Sequence, residues 1–473
     1  MQTKVSLLSQ SELEQIHEAT LEVLKDTGII INSEDIVQHL VKKGAKANGN
    51  HVYFPREMVE EAISMINKKV IFGARDKSKE LCLPKDIHTF NCTSGYSPFL
   101  YDIIGGERRR STAKDLAKIA TLCDTLDLVD FFWPIAMPTE ETAPEMEEIS
   151  ALNTSMRNIT KHVECSCASP GAAQWQVRIA EAIAGSSEEL RKHPLFSAVA
   201  SPTTPLAFEE CTVQSYPIFA KAGIPVTPMN VPMAGTTAPA TFAGTFVITN
   251  AEQLAVLIIL KAYNPDAPMV YACDSGSANM KTGDMSYNNP DYDLFSIGCS
   301  EIARFYNMPN CSSHSGDEGR DYINIPSFWN GVMRVSVSQM TNTDTSIWIG
   351  SKDDALATSL WDIVLDCETL KYAMIYNKHL EVNRETLAID AIKEVGPRGE
   401  FISSMHTFTH FREELNSLEP EDSFIFQGGD FKHTALEMAE KAIEQANVTP
   451  LEDGLLKELD GYMAKARSEF ENK

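Results

Sequence analysis

The sequence predicts an α/β protein built as a (β/α)8 barrel, with a helical cap before the barrel and a helical extension after it. Short apolar runs alternate with helical patterns from about residue 88 onward, which is typical of βαβ units and a parallel sheet. The runs recur every 30–40 residues, roughly, which favours a closed barrel over an open doubly wound sheet. The open sheet stays an alternative, although no run is followed by a glycine-rich phosphate-binding pattern.

The cap covers residues 1–87. Its first helix spans residues 9–27, because Ser9 and Glu12 form a capping-box pattern ahead of apolar residues at helical spacing. Three further segments complete the cap: helices at 36–45 and 55–66, and a short strand at 70–75.

The barrel covers residues 88–400 and contains eight predicted strands. These are residues 128–136, 162–168, 195–200, 224–230, 268–273, 309–313, 345–349 and 362–366. Between them we predict helices at residues 141–158, 172–186, 207–221, 240–262, 290–306, 325–340 and 351–360. The eighth strand begins sooner after the seventh than an ordinary βα unit allows. Residues 401–473 form the helical extension, with helices at 410–415, 431–446 and 451–473.

Composition excludes several classes of protein. The 473 residues include 66 acidic and 41 basic ones, for a formal net charge of −25, so binding to nucleic acid or to an anionic membrane surface is not expected. We predict no membrane span and no signal peptide. A cytoplasmic protein whose ten cysteines are reduced thiols is therefore expected.

The candidate site lies at the carboxyl ends of the strands, where barrel enzymes place their chemistry. Aromatic and amide side chains predominate there, and pairs of acid–base residues are scarce, so no catalytic residue is assigned. A quaternary ammonium cannot donate a hydrogen bond and is held by ring faces and carboxylates. The predicted cage aromatics are Tyr96, Trp133, Tyr271 and Trp348. For Trp133, Tyr271 and Trp348 the alternative role is that of a packed core or barrel-lining residue.

Five polar residues complete the predicted substrate site. Asn230, Arg320 and His314 are candidates to orient a substrate carboxylate, and Arg320 would do so through two hydrogen bonds. Asp274 and Asp317 are candidates to balance the ammonium charge. His162 and His314 are also candidates for acid–base roles, with a structural role as the alternative.

A zinc site is an open alternative. Four cysteines fall at predicted strand ends: Cys165, Cys167, Cys273 and Cys311. Their spacing matches no standard zinc motif, and free buried cysteines are common. No metal is therefore predicted.

Two segments of the chain carry a more specific signal. One runs from Asn230 through the block Gly235-Thr-Thr-Ala-Pro-Ala-Thr241. The other begins with Asn264-Pro-Asp-Ala-Pro268 and continues to Gly283. Together with residues 24–31 and 304–309, they resemble the trimethylamine methyltransferase (MttB) superfamily over nearly the whole chain.

The resemblance implies a TIM barrel that passes an N-methyl group to the Co(I) corrinoid of a small partner protein. The founding members carry pyrrolysine, whereas residues 312–322 contain only standard amino acids here. The chain therefore resembles the non-pyrrolysine branch, which implies a quaternary amine substrate such as glycine betaine, proline betaine or carnitine. The corrinoid (cobalamin) would belong to the partner, with no tightly bound cofactor in this chain. A zinc-dependent barrel methyltransferase and a non-catalytic quaternary-amine binding protein are the alternatives. The helical termini would serve either the partner or a homo-oligomer.

Overall fold

Eight parallel strands close on themselves in the middle of the chain. The computed structural model describes residues 5–85, 89–285, 287, 289–313, 325–341, 343–374, 381–415, 423–425, 427 and 429–470. Before the barrel lie helices Gln10–Glu22 (α1), Glu34–Lys42 (α2) and Arg56–Ser64 (α3), and strands Ile29–Ile31 (β1), Lys46–Asn48 (β2), His51–Tyr53 (β3), Val70–Phe72 (β4) and Leu81–Leu83 (β5). The capping box of Ser9 and Glu12 forms at the start of α1, as predicted.

Thirteen short strands and nine helices follow in the barrel region. The strands are Phe90–Thr93 (β6), Phe99–Leu100 (β7), Arg109–Arg110 (β8), Val163–Ser166 (β9), Phe196–Val199 (β10), Ala207–Phe208 (β11), Val226–Thr227 (β12), Met233–Ala234 (β13), Tyr271–Cys273 (β14), Gly276–Ser277 (β15), Asn310–Ser313 (β16), Thr345–Ile349 (β17) and Ala357–Thr358 (β18). The helices are Ala113–Thr125 (α4), Pro144–Asn158 (α5), Pro170–Ala184 (α6), Ser187–Lys192 (α7), Glu210–Ala222 (α8), Phe242–Tyr263 (α9), Pro290–Phe305 (α10), Ile325–Met340 (α11) and Leu360–Ala373 (α12). These counts cover the part of the chain that the structure describes.

The barrel wall runs in the order β6, residues 131–132, β9, β10, β12, β14, β16 and β17. Parallel pairings join neighbours along this order, and β17 pairs back onto β6, with Ile347 opposite Cys92. This closure confirms the predicted (β/α)8 barrel. Isolated bridges replace full ladders at three seams: Cys92 with Phe131, Phe132 with Val163, and Val226 with Met269.

The assignment of the last strand was wrong, and the first strand of the barrel was not predicted. Residues 362–366, predicted as the eighth strand, lie inside α12. Periodicity alone cannot distinguish a buried strand from a short apolar stretch of a buried helix. The Ser359 side chain accepts a hydrogen bond from the Asp362 backbone and starts the helix. The predicted helix at 351–360 is instead a turn leading into β18. The missing strand is β6, at the start of the barrel.

The barrel separates two apolar cores. The inner one lies in the lumen and includes Cys92, Phe131, Trp133, Ala272 and Ile347. The outer core joins the strands to the surrounding helices. Successive side chains of a strand point to opposite faces, so one residue of register decides which core a side chain enters. The antiparallel hairpin of β4 and β5 contributes Val70, Phe72 and Leu83 to the inner core.

Helix α9 is long and apolar enough to cross a membrane, with a mean hydropathy of 1.6 over its best window. The prediction that no such stretch exists was wrong. However, 78% of that window is buried, and the helix packs against α1, α3 and α8. Its apolar character is explained by burial on several sides.

Four helices follow the barrel: Ile389–Val395 (α13), Met405–Glu414 (α14), Phe431–Gln445 (α15) and Asp453–Phe470 (α16). The last two return to the barrel, since α15 packs on α12 and α4, and α16 packs on α5 and α6. Helix α13 lies within residues 88–400, which the sequence assigns to the barrel, although the last barrel helix ends at Ala373.

Candidate active site

A chain of polar side chains runs up the inside of the barrel. At the amino end of the strands, His162 stacks on Phe72 with 4.2 Å between ring centroids. Its Nε2 lies 3.0 Å from the hydroxyl of Ser197. That hydroxyl in turn lies 3.5 Å from Oε1 of Glu164. The register places Ser197 directly opposite Glu164 on neighbouring strands, which is why the two meet.

Burial controls the ionisation of this chain. Burial lowers the pKa of His162 to about 3. The ring is therefore neutral, with one nitrogen that donates a hydrogen bond and one that accepts a hydrogen bond. Burial also raises the pKa of Glu164 to about 7. Its Oε2 makes no hydrogen bond to a described residue. The interior therefore holds an acid that titrates near neutral pH.

Trp133 lies above this chain at the carboxyl end of the strands. Its indole Nε1 donates to the hydroxyl of Ser166 over 3.3 Å, and its backbone is fixed at both N and O by the hydroxyl of Thr93. Gly95 packs directly against the indole, since a Cβ at that position would lie 2.2 Å from Cε2. The ring is thus held in one orientation, with 9% of the residue exposed.

Asp274 follows β14 and lies across the mouth from Trp133, four strands further round the barrel. The hydroxyl of Tyr292 donates to its Oδ1, and the same hydroxyl lies 3.0 Å from Ser313 Oγ. Burial raises the pKa of Asp274 to about 6, while the hydrogen bonds from Tyr292 and Ser313 and the nearby Arg334 oppose that rise. The group is therefore a carboxylate at neutral pH.

Arg334 brings a buried cation to this side of the mouth. Its guanidinium lies over the ring of Tyr292, 5.4 Å from the centroid, and donates to the backbone carbonyl of Tyr287. Its Nε is 3.8 Å from Asp293 Oδ1. One guanidinium thus faces two carboxylates, Asp274 and Asp293. The described part of this cluster carries net negative charge beside the rings of Tyr287 and Tyr292, which are 5.6 Å apart.

Two of the predicted cage residues lie on the opposite side of the barrel wall. Tyr271 and Trp348 are fully buried in the outer core. The hydroxyl of Tyr271 points to Asn250 on α9 at 3.4 Å, and the indole of Trp348 donates to Asn91. Their strand neighbours Ala272 and Ile347 face the lumen instead. We therefore leave Tyr271 and Trp348 out of the site.

Asn230 also faces the helices. Its amide donates to Glu252 Oε2 at 2.7 Å and to the backbone of Thr249, and its Oδ1 accepts from Gln253. These bonds use its polar atoms within the outer core. The predicted role of Asn230 in orienting a substrate carboxylate does not fit this placement.

Tyr96 departs from the prediction because of its backbone. Its φ of 69° places it in the left-handed region, which redirects the side chain. The ring packs on the outer core. The hydroxyl is buried without a described hydrogen-bond partner. This burial raises the pKa of the phenol well above its ordinary value, and the nearby Cys165 and Glu148 add to the rise.

Trp133 and Asp274 are thus the predicted residues that the structure places at the mouth. Three others, His314, Asp317 and Arg320, lie outside the described residues. The four cysteines of the zinc alternative are dispersed: Cys311 faces the lumen, whereas Cys165, Cys167 and Cys273 belong to the outer core. Among the described residues no group of three His, Cys, Asp or Glu side chains could hold a metal ion.

Sequence reasoning missed four residues of this region. Glu164 carried a usable signal, because a glutamate inside an apolar strand, flanked by Val163 and Cys165, must face a polar interior. No sequence signal pointed to the other three residues, Tyr287, Tyr292 and Arg334. They come from a loop and from two helices, whereas the site was predicted from strand ends.

The family model for trimethylamine methyltransferase (MTTB) matches residues 1–471. The chain belongs to this family. It is 25% identical over 414 residues to a glycine betaine methyltransferase of Desulfitobacterium hafniense strain Y51, covering 87% of this chain and 86% of that protein. It is 26% identical over 470 residues to the trimethylamine methyltransferase MttB of strain DCB-2, covering 98% and 94% respectively.

The fold agrees with a solved structure. The monomethylamine methyltransferase MtmB of Methanosarcina barkeri superposes with a TM-score of 0.55 at 10% identity, covering 94% of this chain and 89% of that chain. At that identity the match shows the fold alone. With the family, it confirms the resemblance drawn from the sequence. The chain is therefore an enzyme, a methyltransferase, rather than the non-catalytic binding protein kept as an alternative.

Proposed function

We propose that this member of the MTTB family removes a methyl group from a quaternary amine, such as glycine betaine, proline betaine or carnitine. The acceptor would be the Co(I) corrinoid of a partner protein, in a cytoplasmic setting. The observation that carries the proposal is the carboxylate of Asp274 at the barrel mouth, beside the rings of Tyr287 and Tyr292. Its chemistry suits a cation without hydrogen-bond donors.

The substrate charge is matched by the residues around Asp274. A carboxylate attracts a trimethylammonium group without needing a proton from it, and aromatic faces add attraction through their quadrupoles. Arg334 lies 3.8 Å from Asp293, and its charge lowers the pKa of Asp274 against the larger effect of burial. On the far side of the mouth, the indole of Trp133 offers a further ring held rigidly by Gly95 and Ser166.

Loss of a methyl group from a quaternary ammonium leaves a neutral tertiary amine. The departing nitrogen needs no proton, which agrees with a mouth built from ring faces and carboxylates. The task of the protein is then to fix one N–CH3 bond in direction and to keep water away. The ammonium charge disappears as the bond breaks, so the carboxylate attracts the substrate and not the product.

The corrinoid, when presented by its partner, supplies a strongly nucleophilic Co(I) centre as methyl acceptor. The residues at the mouth agree with an arrangement in which this chain binds the substrate and the partner protein supplies the corrinoid. Its carboxylates and rings suit the ammonium group, and the described residues there include no metal-ligating cluster. We therefore assign the mouth residues to the substrate and leave the corrinoid to the partner protein.

The test is an anoxic absorbance assay with chemically reduced Co(I) cobalamin. The panel contains glycine betaine, proline betaine, carnitine, tetramethylammonium and trimethylamine. We expect loss of the Co(I) absorbance with one betaine-like compound, together with stoichiometric release of the tertiary amine detected by mass spectrometry. Turnover of trimethylamine alone would reject the quaternary-amine assignment. No turnover of any compound by folded protein, both with free cobalamin and with purified corrinoid proteins from the same organism, would reject the reaction itself.

A further inference from the structure

A cavity of about 430 Å³, here called the cap cavity, lies where helices α1 and α3 meet the end of α10. Because α10 is followed directly by β16, this end of the helix lies at the amino ends of the strands. The mouth lies at the opposite, carboxyl end of the barrel. The volume falls within the range of pockets that hold small molecules, about 300–1,000 Å³.

Three rings and two aliphatic side chains form an apolar wall in the cap cavity. Phe305 and Tyr306 are nearly perpendicular, with 5.1 Å between their ring centroids. His17 lies 5.8 Å from Phe305 and 5.6 Å from Tyr306. Ile63 and Ile66 complete this apolar wall. Such a wall suits a ligand with an aromatic or branched apolar body.

A buried hydrogen-bond network ends at the cap cavity. The hydroxyl of Thr20 donates to the backbone carbonyl of Ile16, so it accepts from the side-chain amide of Asn250. That amide also donates to the hydroxyl of Tyr306 over 2.8 Å, and Oδ1 of Asn250 accepts from Tyr271. Because the hydroxyl of Thr20 has one proton, these bonds determine which side-chain atom of Asn250 is the nitrogen.

The direction of this network determines the tautomer of His17. Its Nδ1 lies 2.9 Å from the hydroxyl of Tyr306. Since that hydroxyl accepts from Asn250, its own proton is donated to Nδ1 of His17. Burial lowers the pKa of His17, which agrees with a neutral ring whose proton is on Nε2. This Nε2 donates to no described residue, and His17 lines the cap cavity. The network therefore leaves one donor for a ligand.

Lys68 brings a positive charge to the same cavity. It is exposed, and no ion pair joins it to a carboxylate among the described residues. The carboxylate that lines the cavity, Glu60, is paired with Arg56 at 3.1 Å, and Arg56 also pairs with Glu18. An unpaired ammonium together with a neutral donor favours an anionic ligand group, and a carboxylate can accept from both.

We propose that the cap cavity binds a small organic acid with an aromatic or branched apolar body. Nε2 of His17 and the ammonium of Lys68 hold the carboxylate, and the body packs on the apolar wall. The carboxylate of Asp274 at the mouth repels such a ligand, so the two sites select opposite charges. A bound acid contacts α1, α3 and the end of α10 together, and therefore stabilises the folded protein.

Isothermal titration calorimetry on the full chain tests the proposal, with benzoate as the probe. Benzamide has nearly the same shape without the charge, and acetate has the charge without the apolar body. We expect benzoate to bind with a Kd of about 1 mM or below, and the other two compounds to bind at least about tenfold more weakly. The Tm should rise as the benzoate concentration increases.

Two variants test the two polar contacts. His17→Phe keeps a ring and removes the donor, and it should weaken benzoate binding at least about tenfold. Lys68→Met removes the charge of an exposed side chain, and it should weaken binding by about threefold to fivefold. The matched control is Lys69→Met, because Lys69 is also exposed but does not line the cap cavity. It should bind benzoate as the wild type does. Circular dichroism checks that each variant is folded.

Four results would overturn the proposal. They are no binding of benzoate at about 10 mM, equal binding of benzoate and benzamide, a Lys68→Met variant that binds like the wild type, and loss of benzoate binding in Asp274→Asn, which would place the ligand at the mouth. If His17→Phe does not fold, the comparison of Lys68→Met with Lys69→Met decides the question, because both change exposed side chains.

Discussion

Asp274→Asn removes the negative charge at the proposed ammonium site while keeping the shape of the side chain. The amide can still accept a hydrogen bond from Tyr292, which donates to the carboxylate in the wild type. For an ammonium nitrogen about 5 Å away and an effective dielectric constant of about 20, the lost attraction is roughly 3 kcal/mol. That energy corresponds to about a 150-fold weaker binding of the cation.

The pH dependence offers a second measure of the same charge. Since the pKa of Asp274 is raised to about 6, the carboxylate is protonated below that pH in the free enzyme. Affinity for a cation should therefore fall about tenfold per pH unit below 6 and stay level above 7. In the Asn variant this inflection should vanish.

Equilibrium binding of tetramethylammonium by isothermal titration calorimetry, from pH 5 to 8, is the assay. A neutral tert-butyl analogue of the same shape is the control ligand and should bind the wild type and the variant alike. The variant should remain stable at neutral pH. Ionisation of a buried carboxyl with a raised pKa opposes folding, and an amide at this position removes that cost. An Asn variant that binds tetramethylammonium as tightly as the wild type, with the same pH profile, would refute the role of Asp274.

Three further predictions concern the rest of the barrel. Gly95→Ala should displace the indole of Trp133, because the new Cβ would lie 2.2 Å from it. Losing a cation–π contact with the substrate should raise KM at least tenfold. The control is Gly461→Ala, because a Cβ at position 461 has nothing within 4 Å. Trp348→Leu should cost about 3 kcal/mol in urea unfolding without a change in KM; an altered KM would return Trp348 to the site. Glu164→Gln should raise the Tm by about 3 °C at pH 8.5 and by little at pH 4. Burial raises the pKa of Glu164 from its ordinary value to about 7, so the cost of folding with this carboxyl grows between those two pKa values and stays level above 7. An equal gain at pH 8.5 and pH 4 in a thermal scan would contradict this reasoning.

Periodicity and spacing made the barrel predictable. Seven of the eight predicted runs coincide with wall strands or bridges, because parallel strands buried on both faces are continuous apolar runs. The exception, residues 362–366, is apolar for another reason, since α12 is packed by α15 on one side and by the barrel on the other. The true first strand, Phe90-Asn-Cys-Thr93, is too short and polar to stand out.

The candidate site was harder to predict, and the reason is geometric. A strand end can be located within two or three residues, whereas the face of each side chain alternates at every residue. Trp348 therefore lies near the carboxyl end of its strand but faces the helices, and Tyr271 begins its strand and also faces the helices. Asp274 and Trp133 lie at the mouth. Tyr292 and Arg334 reach the mouth from helices, which no strand pattern can reveal.

The chemistry of the mouth bears on which amine it can hold. A protonated tertiary amine beside a buried carboxylate can give up its proton, and the pair then becomes two neutral groups. A quaternary ammonium has no proton to give, so its charge persists and continues to be attracted by Asp274. A carboxyl whose pKa is raised by burial therefore discriminates in favour of the permanently charged substrate. Demethylation ends that attraction, because the product is a neutral tertiary amine. Asp274 therefore binds the substrate more tightly than the product, which favours release of the product.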